Sequence, residues 1–239
     1  EKSAAPNARH VGVPHARIAD ADRRAALDLI HSARRPVILA GHGILLSGAM
    51  PFVRELAERA GIPVAMTLLG IGSFPASHPL NLGMMGMHGE AWVNTAIQEA
   101  DLLIALGMRF DDRVTGNVRT YARQAKKLHI DVDGAEIGKI VAVDVGIVGD
   151  LCDVLGALVP GVESGRHEEW IARIDTLKGD SAVRDIQNLA DDGHLYAAHV
   201  MKDLWRSTNG RAVVVTDVGQ HQMWEAQYYH HESPRTLIT

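Results

Sequence analysis

Two arginines and two aspartates lie within the five residues 109–113, in the run RFDDRVTG (109–116). This run directly follows DLLIALG (101–107), an apolar stretch with the length and composition of a buried β-strand. Arginine presents a planar fork of N–H donors that suits phosphate or carboxylate oxygens, and an adjacent aspartate can hold that fork in place. The pattern indicates an anion-binding loop at the exit of the strand, with a solvated loop of surface ion pairs as the alternative.

Two glycine-rich passages follow other apolar runs. PVILA (36–40) leads into Gly41 and Gly43, where the lack of side chains would let the backbone approach a phosphate or a ring. Their spacing departs from G-x-G-x-x-G, so an ordinary tight turn is an equal alternative. The passage 69–86 is rich in glycine and proline and ends among methionines, and we interpret it as a long ligand-binding loop.

Acidic residues end two more apolar runs. KLHIDV (127–132) contains Asp131 near its end, where dinucleotide-binding sites often hold sugar hydroxyls. VGIV (145–148) is followed by Gly149 and Asp150 in the same manner. Each signal is weak in isolation, but all of them fall where a strand would end.

The elements that must position these residues alternate between strand and helix. Helices are predicted at 20–32, from Ser47 as N-cap to Gly61, at 88–100 and at 151–158, with a further strand at 63–67. This alternation predicts an α/β fold with a Rossmann-like, mostly parallel six-stranded sheet and helices on both faces. Ligands bind to such sheets at the carboxyl ends of the strands.

The chain divides into four predicted segments. Residues 1–15 read as a linker, 16–160 as the Rossmann-like domain, and 161–193 as a polar, helix-prone interdomain connection. Residues 194–239 start a second α/β domain, with a helix at 195–206 and the strand AVVVT (212–216). Both ends of the sequence look cut rather than natural.

Composition excludes several classes of partner. A formal charge of −5 and a pI near 6.2 provide no basic surface for nucleic acid. No apolar run reaches the roughly 18 residues of a membrane span, and the first residues lack a secretory signal. The single cysteine, Cys152, lies in an apolar stretch, which favours an inert buried thiol and a reducing compartment. We expect a cytoplasmic protein, with a plastid as the alternative.

Adjacent histidines at 230 and 231, followed by Glu232, raise the possibility of a metal site. Neighbouring side chains diverge on a helix or a strand, and no third ligand has a useful spacing. No metal site is therefore predicted within this chain.

The segments described above match a known family in order and spacing. LGMMGMHG (82–89), RFDDRVTG, HIDVDGAEIGK (129–139) and VGD (148–150) together resemble the FAD-binding middle domain of the acetolactate synthase (acetohydroxyacid synthase) family, a group of thiamine-diphosphate-dependent enzymes. TDVGQHQMW (216–224) resembles the opening of that family's diphosphate-binding domain. His42 and Met66 depart from the family, which more often has a small residue and a threonine there.

The resemblance implies roles for individual residues. The positions that correspond to FAD contacts are Gly41, Gly43, Thr67, Leu68, Met87, His88, Gly89, Gly107, Arg109, Asp111, Arg113, Val114, Asp131, Val132, Gly149 and Asp150. Those that correspond to the diphosphate-binding turn for thiamine diphosphate are Gly219, Gln220 and His221. Arg113 is also a candidate for the mouth of the substrate channel.

The family reaction condenses two pyruvates, or pyruvate and 2-oxobutanoate, to a 2-acetohydroxy acid with release of CO2, the first common step of branched-chain amino acid biosynthesis. FAD is structural in this family, and the activating glutamate and the Mg²⁺ site are expected before residue 1 and after residue 239. The chain alone is therefore expected to be inactive, with no catalytic residue of its own. The resemblance also implies a homodimer or homotetramer and allows a regulatory small subunit.

Three other functions are compatible with parts of the pattern. One is another thiamine-diphosphate carboligase or a 2-oxo acid decarboxylase. A second is a non-catalytic nucleotide-binding module, although such a module has no reason to carry GQHQMW (219–224). A third is an electron-transferring flavoprotein.

Overall fold

A computed structural model describes residues 18–182 and 193–239, so the predicted linker 1–15 lies outside the described residues. The strands are β1 (Pro36–Ala40), β2 (Val64–Met66), β3 (Asn81–Met84), β4 (Leu102–Leu106), β5 (Lys126–Asp131), β6 (Val145–Val148), β7 (Val214–Val215) and β8 (Leu237–Ile238). The helices are α1 (Asp20–Ser32), α2 (His42–Ser47), α3 (Met50–Ala60), α4 (Ala91–Glu99), α5 (Asp112–Thr115), α6 (Leu151–Leu158), α7 (Glu168–Ala182), α8 (Ala197–Thr208) and α9 (Gln220–Tyr228), with 3₁₀ turns at Leu68–Gly70 and Val159–Gly161.

The main sheet has six strands in the order β3-β2-β1-β4-β5-β6, and every neighbouring pair is parallel. All residues of β1 and β4 are buried, as expected for central strands covered on both faces. The predicted Rossmann-like fold class is confirmed. Because the strands are parallel, all of their carboxyl ends lie at one edge of the sheet.

Side chains of the central strands alternate between two cores. Ile38 and Ile104 belong to the core beneath α1, α3 and α6, whereas Val37 and Leu103 belong to the core beneath α4 and α7. This is the period of two expected of a strand. The sheet is therefore held rigidly from both sides, which fixes the positions of the loops at its carboxyl edge.

Helix α7 packs against the main sheet, although its residues fall in the predicted interdomain connection. Trp170 is 2% exposed, and its indole Nε1 donates a hydrogen bond of 3.0 Å to the Pro36 carbonyl at the start of β1. Arg173 forms an ion pair of 2.6 Å with Glu99 at the end of α4. The domain boundaries near 160 and 193 stay predictions, with α7 placed on the side of the first domain.

Two sequence-based predictions of local structure were wrong. The passage 69–86 is not one loop, because it contains β3, an edge strand whose Gly83 has a φ of 90° and whose register shifts against β2. Ser47 does not cap α3. Its hydroxyl donates to the Gly43 carbonyl (2.8 Å) inside the short helix α2, and α3 begins after Ala49 instead.

The second unit consists of α8, α9 and the two-stranded parallel sheet β7-β8. The predicted helix at 195–206 is present as α8, which begins and ends two residues later. The predicted strand at 212–216 is present as the shorter strand β7. Val215 and Val218 are 70% and 82% exposed, unlike Val37 and Val64 of the main sheet, which are fully buried. No helix within the described residues is long and apolar enough to cross a membrane.

The environment of Cys152 fits an inert thiol. The side chain is half-buried in α6, and its Sγ lies 3.1 Å from the Ser47 carbonyl. Burial raises the pKa of this thiol, so little reactive thiolate is present at neutral pH.

Candidate functional site

The exits of the central strands are joined by backbone hydrogen bonds at the carboxyl edge. Gly41 N donates to the Leu106 carbonyl (3.0 Å), and Gly107 N donates to the Ile130 carbonyl (2.9 Å). Gly149 N donates to the Asp131 carbonyl (2.9 Å). The loops at 41–43, 107–114, 131–132 and 149–150, which sequence reasoning singled out separately, therefore lie side by side.

Glycine is required where the exits of β1 and β4 meet. Gly107 has a φ of 57°, and a Cβ there would lie 2.7 Å from Gly43 Cα and 2.9 Å from Leu151 Cδ1. A Cβ on Gly43 would in turn lie 2.7 Å from Gly107 Cα. Any side chain at these positions would force the two loops apart.

The runs LGMMGMHG and RFDDRVTG form a second contact at this edge. Met87 N donates to the Arg113 carbonyl (2.8 Å), and Arg113 Nη1 lies 3.6 Å from Met87 Sδ. Gly86 has a φ of 97°, and a Cβ there would clash with the Arg113 carbonyl. The two motifs are thus adjacent in space as well as characteristic in sequence, and His88 and Gly89 follow in the same turn.

Asp111 of RFDDRVTG has a role in the backbone beside the ion pair that the sequence suggested. Asp111 caps α5, since its Oδ1 accepts from the backbone N–H groups of Arg113 (3.1 Å) and Val114 (3.3 Å). Its contact with Arg109 is long, at 3.7 Å, and the Arg109 side chain is 68% exposed. The Arg109 guanidinium is therefore held loosely and can accept an anion.

The remaining flavin candidates also follow strands. Thr67, after β2, donates its N–H to the Ala40 carbonyl (2.9 Å) and caps the 3₁₀ turn that contains Leu68. Asp131 is buried, with Oδ1 accepting from Asp133 N (2.9 Å), and Val132 beside it is half exposed. Asp150 caps α6 by accepting from Cys152 N (2.8 Å).

The three thiamine diphosphate candidates lie at a separate place, at the start of α9. Gly219 precedes the helix with φ 156° and ψ −172°, a combination open mainly to glycine. Because no N-cap side chain bonds to α9 in the described part of the chain, the amides of its first turn are available to an anion. Helix α9 contacts the flavin candidates through Gln227, whose Nε2 donates to the His88 carbonyl (2.5 Å).

Comparison with known proteins assigns this arrangement to a family. The family described as thiamine pyrophosphate enzyme, central domain, matches residues 23–158, more than half of the chain. The chain belongs to the thiamine pyrophosphate enzyme family. The matched span runs from α1 to the end of α6 and so includes every strand of the main sheet.

Three relatives of this chain carry the name acetolactate synthase. The chain is 45% identical to a probable acetolactate synthase large subunit of Methanocaldococcus jannaschii, over 89% of the chain and 37% of the relative. It is 44% identical to the acetolactate synthase large subunit of Corynebacterium glutamicum, over 98% of the chain and 37% of the relative. It is 42% identical to the acetolactate synthase isozyme 1 large subunit of Escherichia coli, over 90% of the chain and 38% of the relative. The chain thus spans somewhat more than a third of these relatives, and the resemblance inferred from its motifs is confirmed.

Sequence reasoning missed two residues that support the candidate site. Asn94, in α4, accepts from Gly86 N (2.9 Å) and donates to the Gly86 carbonyl (2.8 Å), and so holds the turn before Met87. His129, in β5, donates from Nε2 to the Met108 carbonyl (2.9 Å) and holds the chain between Gly107 and Arg109. Asn94 gave no signal because it sits on a helix, and His129 was read only as part of a strand.

His129 is expected to make stability depend on pH. Its side chain is fully buried, and Nδ1 has no partner within the described part of the chain. Burial lowers the pKa of His129, outweighing the hydrogen bond to Met108 and the charges of Asp131 and Glu136, which raise it. As the pH falls below about 6.5, the unfolded chain binds the proton first, so the free energy of unfolding should fall by about 1 kcal/mol between pH 7.5 and 5.5.

Urea denaturation at the two pH values measures this change. The variant His129→Leu should be less stable at both values and should lose this part of the pH dependence. Burial also lowers the pKa of His167 and His230, so the difference between wild type and variant isolates His129. An unchanged pH dependence in the variant would show that His129 does not contribute.

Proposed function

We propose that this chain is the FAD-binding middle part of an acetolactate synthase catalytic subunit, together with the opening of its thiamine-diphosphate domain. The proposal rests above all on the carboxyl edge, where four strand exits meet and Gly43 and Gly107 are packed backbone against backbone. The names of the relatives support the same activity. The reaction proposed is condensation of two pyruvates, or of pyruvate with 2-oxobutanoate, with release of CO2.

The residues at the edge fit an adenine-nucleotide flavin. The glycines at 41 and 43 would let a ligand approach the backbone at the start of α2. The loosely held Arg109 guanidinium suits a phosphate group. Asp131 Oδ2 can accept from sugar hydroxyls while Oδ1 remains bound to Asp133 N. Val132 and Met87 provide exposed apolar surface for a ring system. In this proposal FAD has a structural role, because the net reaction transfers no electrons.

The start of α9 fits the diphosphate of the second cofactor. Gly219, Gln220 and His221 provide backbone amides at a helix N-terminus, where the helix dipole favours negative charge. Bound thiamine diphosphate supplies the electron sink that decarboxylation of a 2-oxo acid requires. The contribution of this chain is to hold the diphosphate in place, whereas Mg²⁺ ligands and an activating glutamate would come from further parts of a longer protein.

Arg113 is proposed to face the substrate channel. Its backbone is fixed twice, by the bond from Met87 N and by the cap that Asp111 provides, while its side-chain Nη1 lies 3.6 Å from the Met87 thioether. A guanidinium held in this way suits the carboxylate of an incoming 2-oxo acid. For the whole protein we propose a homodimer or homotetramer, with a regulatory small subunit as a possible partner.

Product analysis tests the proposed activity. A full-length protein carrying this chain, supplied with FAD, thiamine diphosphate and Mg²⁺, should convert pyruvate to acetolactate, and should form the mixed product when 2-oxobutanoate is added. The 239-residue chain should give none under the same conditions. Acetaldehyde as the main product of the full-length protein, or acetolactate from the chain alone, would contradict the proposal.

A further inference from the structure

A carboxylate on α9 and an imidazole in the segment after this helix form a buried pair. Glu225 Oε1 is 2.6 Å from His231 Nε2, and both side chains are only 1% exposed. His231 Nδ1 lies 2.7 Å from the Thr236 hydroxyl, which itself donates to the Ser233 carbonyl (2.8 Å). Glu225 Oε2 is buried and has no partner among the residues that the structure describes. Burying a carboxylate in this way is costly, and its bond to His231 has to offset that cost.

Polar side chains contribute the most deeply buried contacts of helix α9, while Ala226 packs partly buried against the core of the main domain. The buried residues of α9 are Gln222, which is 7% exposed, and Glu225, which is 1% exposed. Gln222 Nε2 donates to the Thr239 hydroxyl (2.5 Å), and Glu225 bonds to His231. Apolar packing tolerates small rotations, but hydrogen bonds of this kind constrain direction. The orientation of α9 therefore depends strongly on where His231 is fixed.

His231 begins a segment, residues 231–235, that is docked on the main domain. The Ala76 N–H donates to the His231 carbonyl (3.2 Å). Arg235 Nη2 donates to the Leu45 carbonyl (3.1 Å) in α2, the helix that follows Gly41. One end of this docking segment thus holds α9, and the other reaches α2, the helix that contains the flavin candidate Gly43.

Two further contacts leave the docking segment little freedom. The Ser77 hydroxyl donates to Glu232 Oε2 (2.8 Å). Gly72 has a φ of 84°, and a Cβ there would lie 2.8 Å from the Ser233 carbonyl, so the backbones are in close contact. The docking segment therefore fixes His231 relative to the main domain.

We propose that Glu225 and His231 are positioning residues that orient α9 and so place the amides at 219–221 for the diphosphate of thiamine diphosphate. The inference rests on the proposed function. Neither side chain touches the candidate diphosphate turn, so both act through the helix. Removal of either should weaken thiamine diphosphate binding, whereas the flavin candidates are held mainly by backbone hydrogen bonds within the main domain and should keep their affinity for FAD.

The test compares cofactor affinities in a full-length protein that carries this chain. Glu225→Ala and His231→Ala should each raise the Kd for thiamine diphosphate by about tenfold or more, the loss of one charged hydrogen bond. Glu225→Gln keeps an acceptor facing His231 and should recover most of the affinity. Because the residues act as one unit, the double alanine variant should be no weaker than either single variant. The Kd for FAD should change by less than about twofold in all variants.

Glu99→Ala, which removes a paired carboxylate from α4, provides the matched control and should leave the Kd for thiamine diphosphate unchanged. The inference is overturned if Glu225→Ala binds thiamine diphosphate as wild type does, or if Glu225→Gln is as weak as Glu225→Ala. A parallel loss of FAD affinity also overturns it, because it indicates a general loss of structure. A wild-type protein that binds FAD but no thiamine diphosphate would refute the proposed function itself, and this inference with it.

Discussion

Replacing Gly107 with alanine is expected to abolish flavin binding and to lower the free energy of unfolding by about 3 kcal/mol. The residue has a φ of 57°, which is unfavourable for alanine, and its Cβ would lie within 3 Å of Gly43 Cα and Leu151 Cδ1. The backbone atoms of Gly43 cannot yield without moving the start of α2, so the edge of the sheet would open. Flavin fluorescence titration and urea denaturation measure the two effects.

Gly138→Ala is the matched control for this prediction. Gly138 also has a positive φ, of 70°, but no atom lies within 4 Å of its ideal Cβ position. Alanine there should cost only about 1 kcal/mol, from backbone conformation alone, and should leave flavin affinity intact. Equal behaviour of the two variants would show that the contact between Gly43 and Gly107 is unimportant.

The second large effect is expected for Trp170→Ala, which should destabilise the main domain by about 3–5 kcal/mol. The indole is almost fully buried in the core beneath α4 and α7, and it also donates to the Pro36 carbonyl. Its removal leaves a cavity and an unsatisfied carbonyl at the start of a central strand. Urea denaturation followed by circular dichroism measures the loss.

Trp224→Ala serves as the comparison, because Trp224 is 37% exposed on α9 and should cost about 1 kcal/mol or less. A main domain that unfolds at the same urea concentration with and without Trp170 would contradict the packing described for α7. It would instead favour the view of residues 161–193 as a connection only.

The architecture could be predicted from the sequence because each central strand is an apolar run, and because glycine or polar residues mark where it ends. DLLIALG and PVILA are buried on both faces, so they are continuous apolar runs and could be located within a residue. Because the strands are parallel, the polar and glycine residues that follow them lie together at the carboxyl edge of the sheet. Gly107 and Asp131 could thus be placed together before any coordinates.

What the sequence could not reveal depended on contacts between distant segments. Strand β3 is short, contains a glycine with positive φ and pairs with only one neighbour, so its local pattern resembles a loop. Asn94 and His129 contribute through hydrogen bonds to backbone groups many residues away. Glu225 lies on the polar helix α9, and its buried contact with His231 has no local pattern in the sequence.

The exits of β1, β2, β4, β5 and β6, with the turn after β3, are proposed to form one groove that binds a flavin. Titration of the purified 239-residue chain into FAD, followed by flavin fluorescence, measures this binding. We expect saturable quenching with one FAD bound per chain. Fluorescence that stays at the level of free FAD throughout the titration would contradict it.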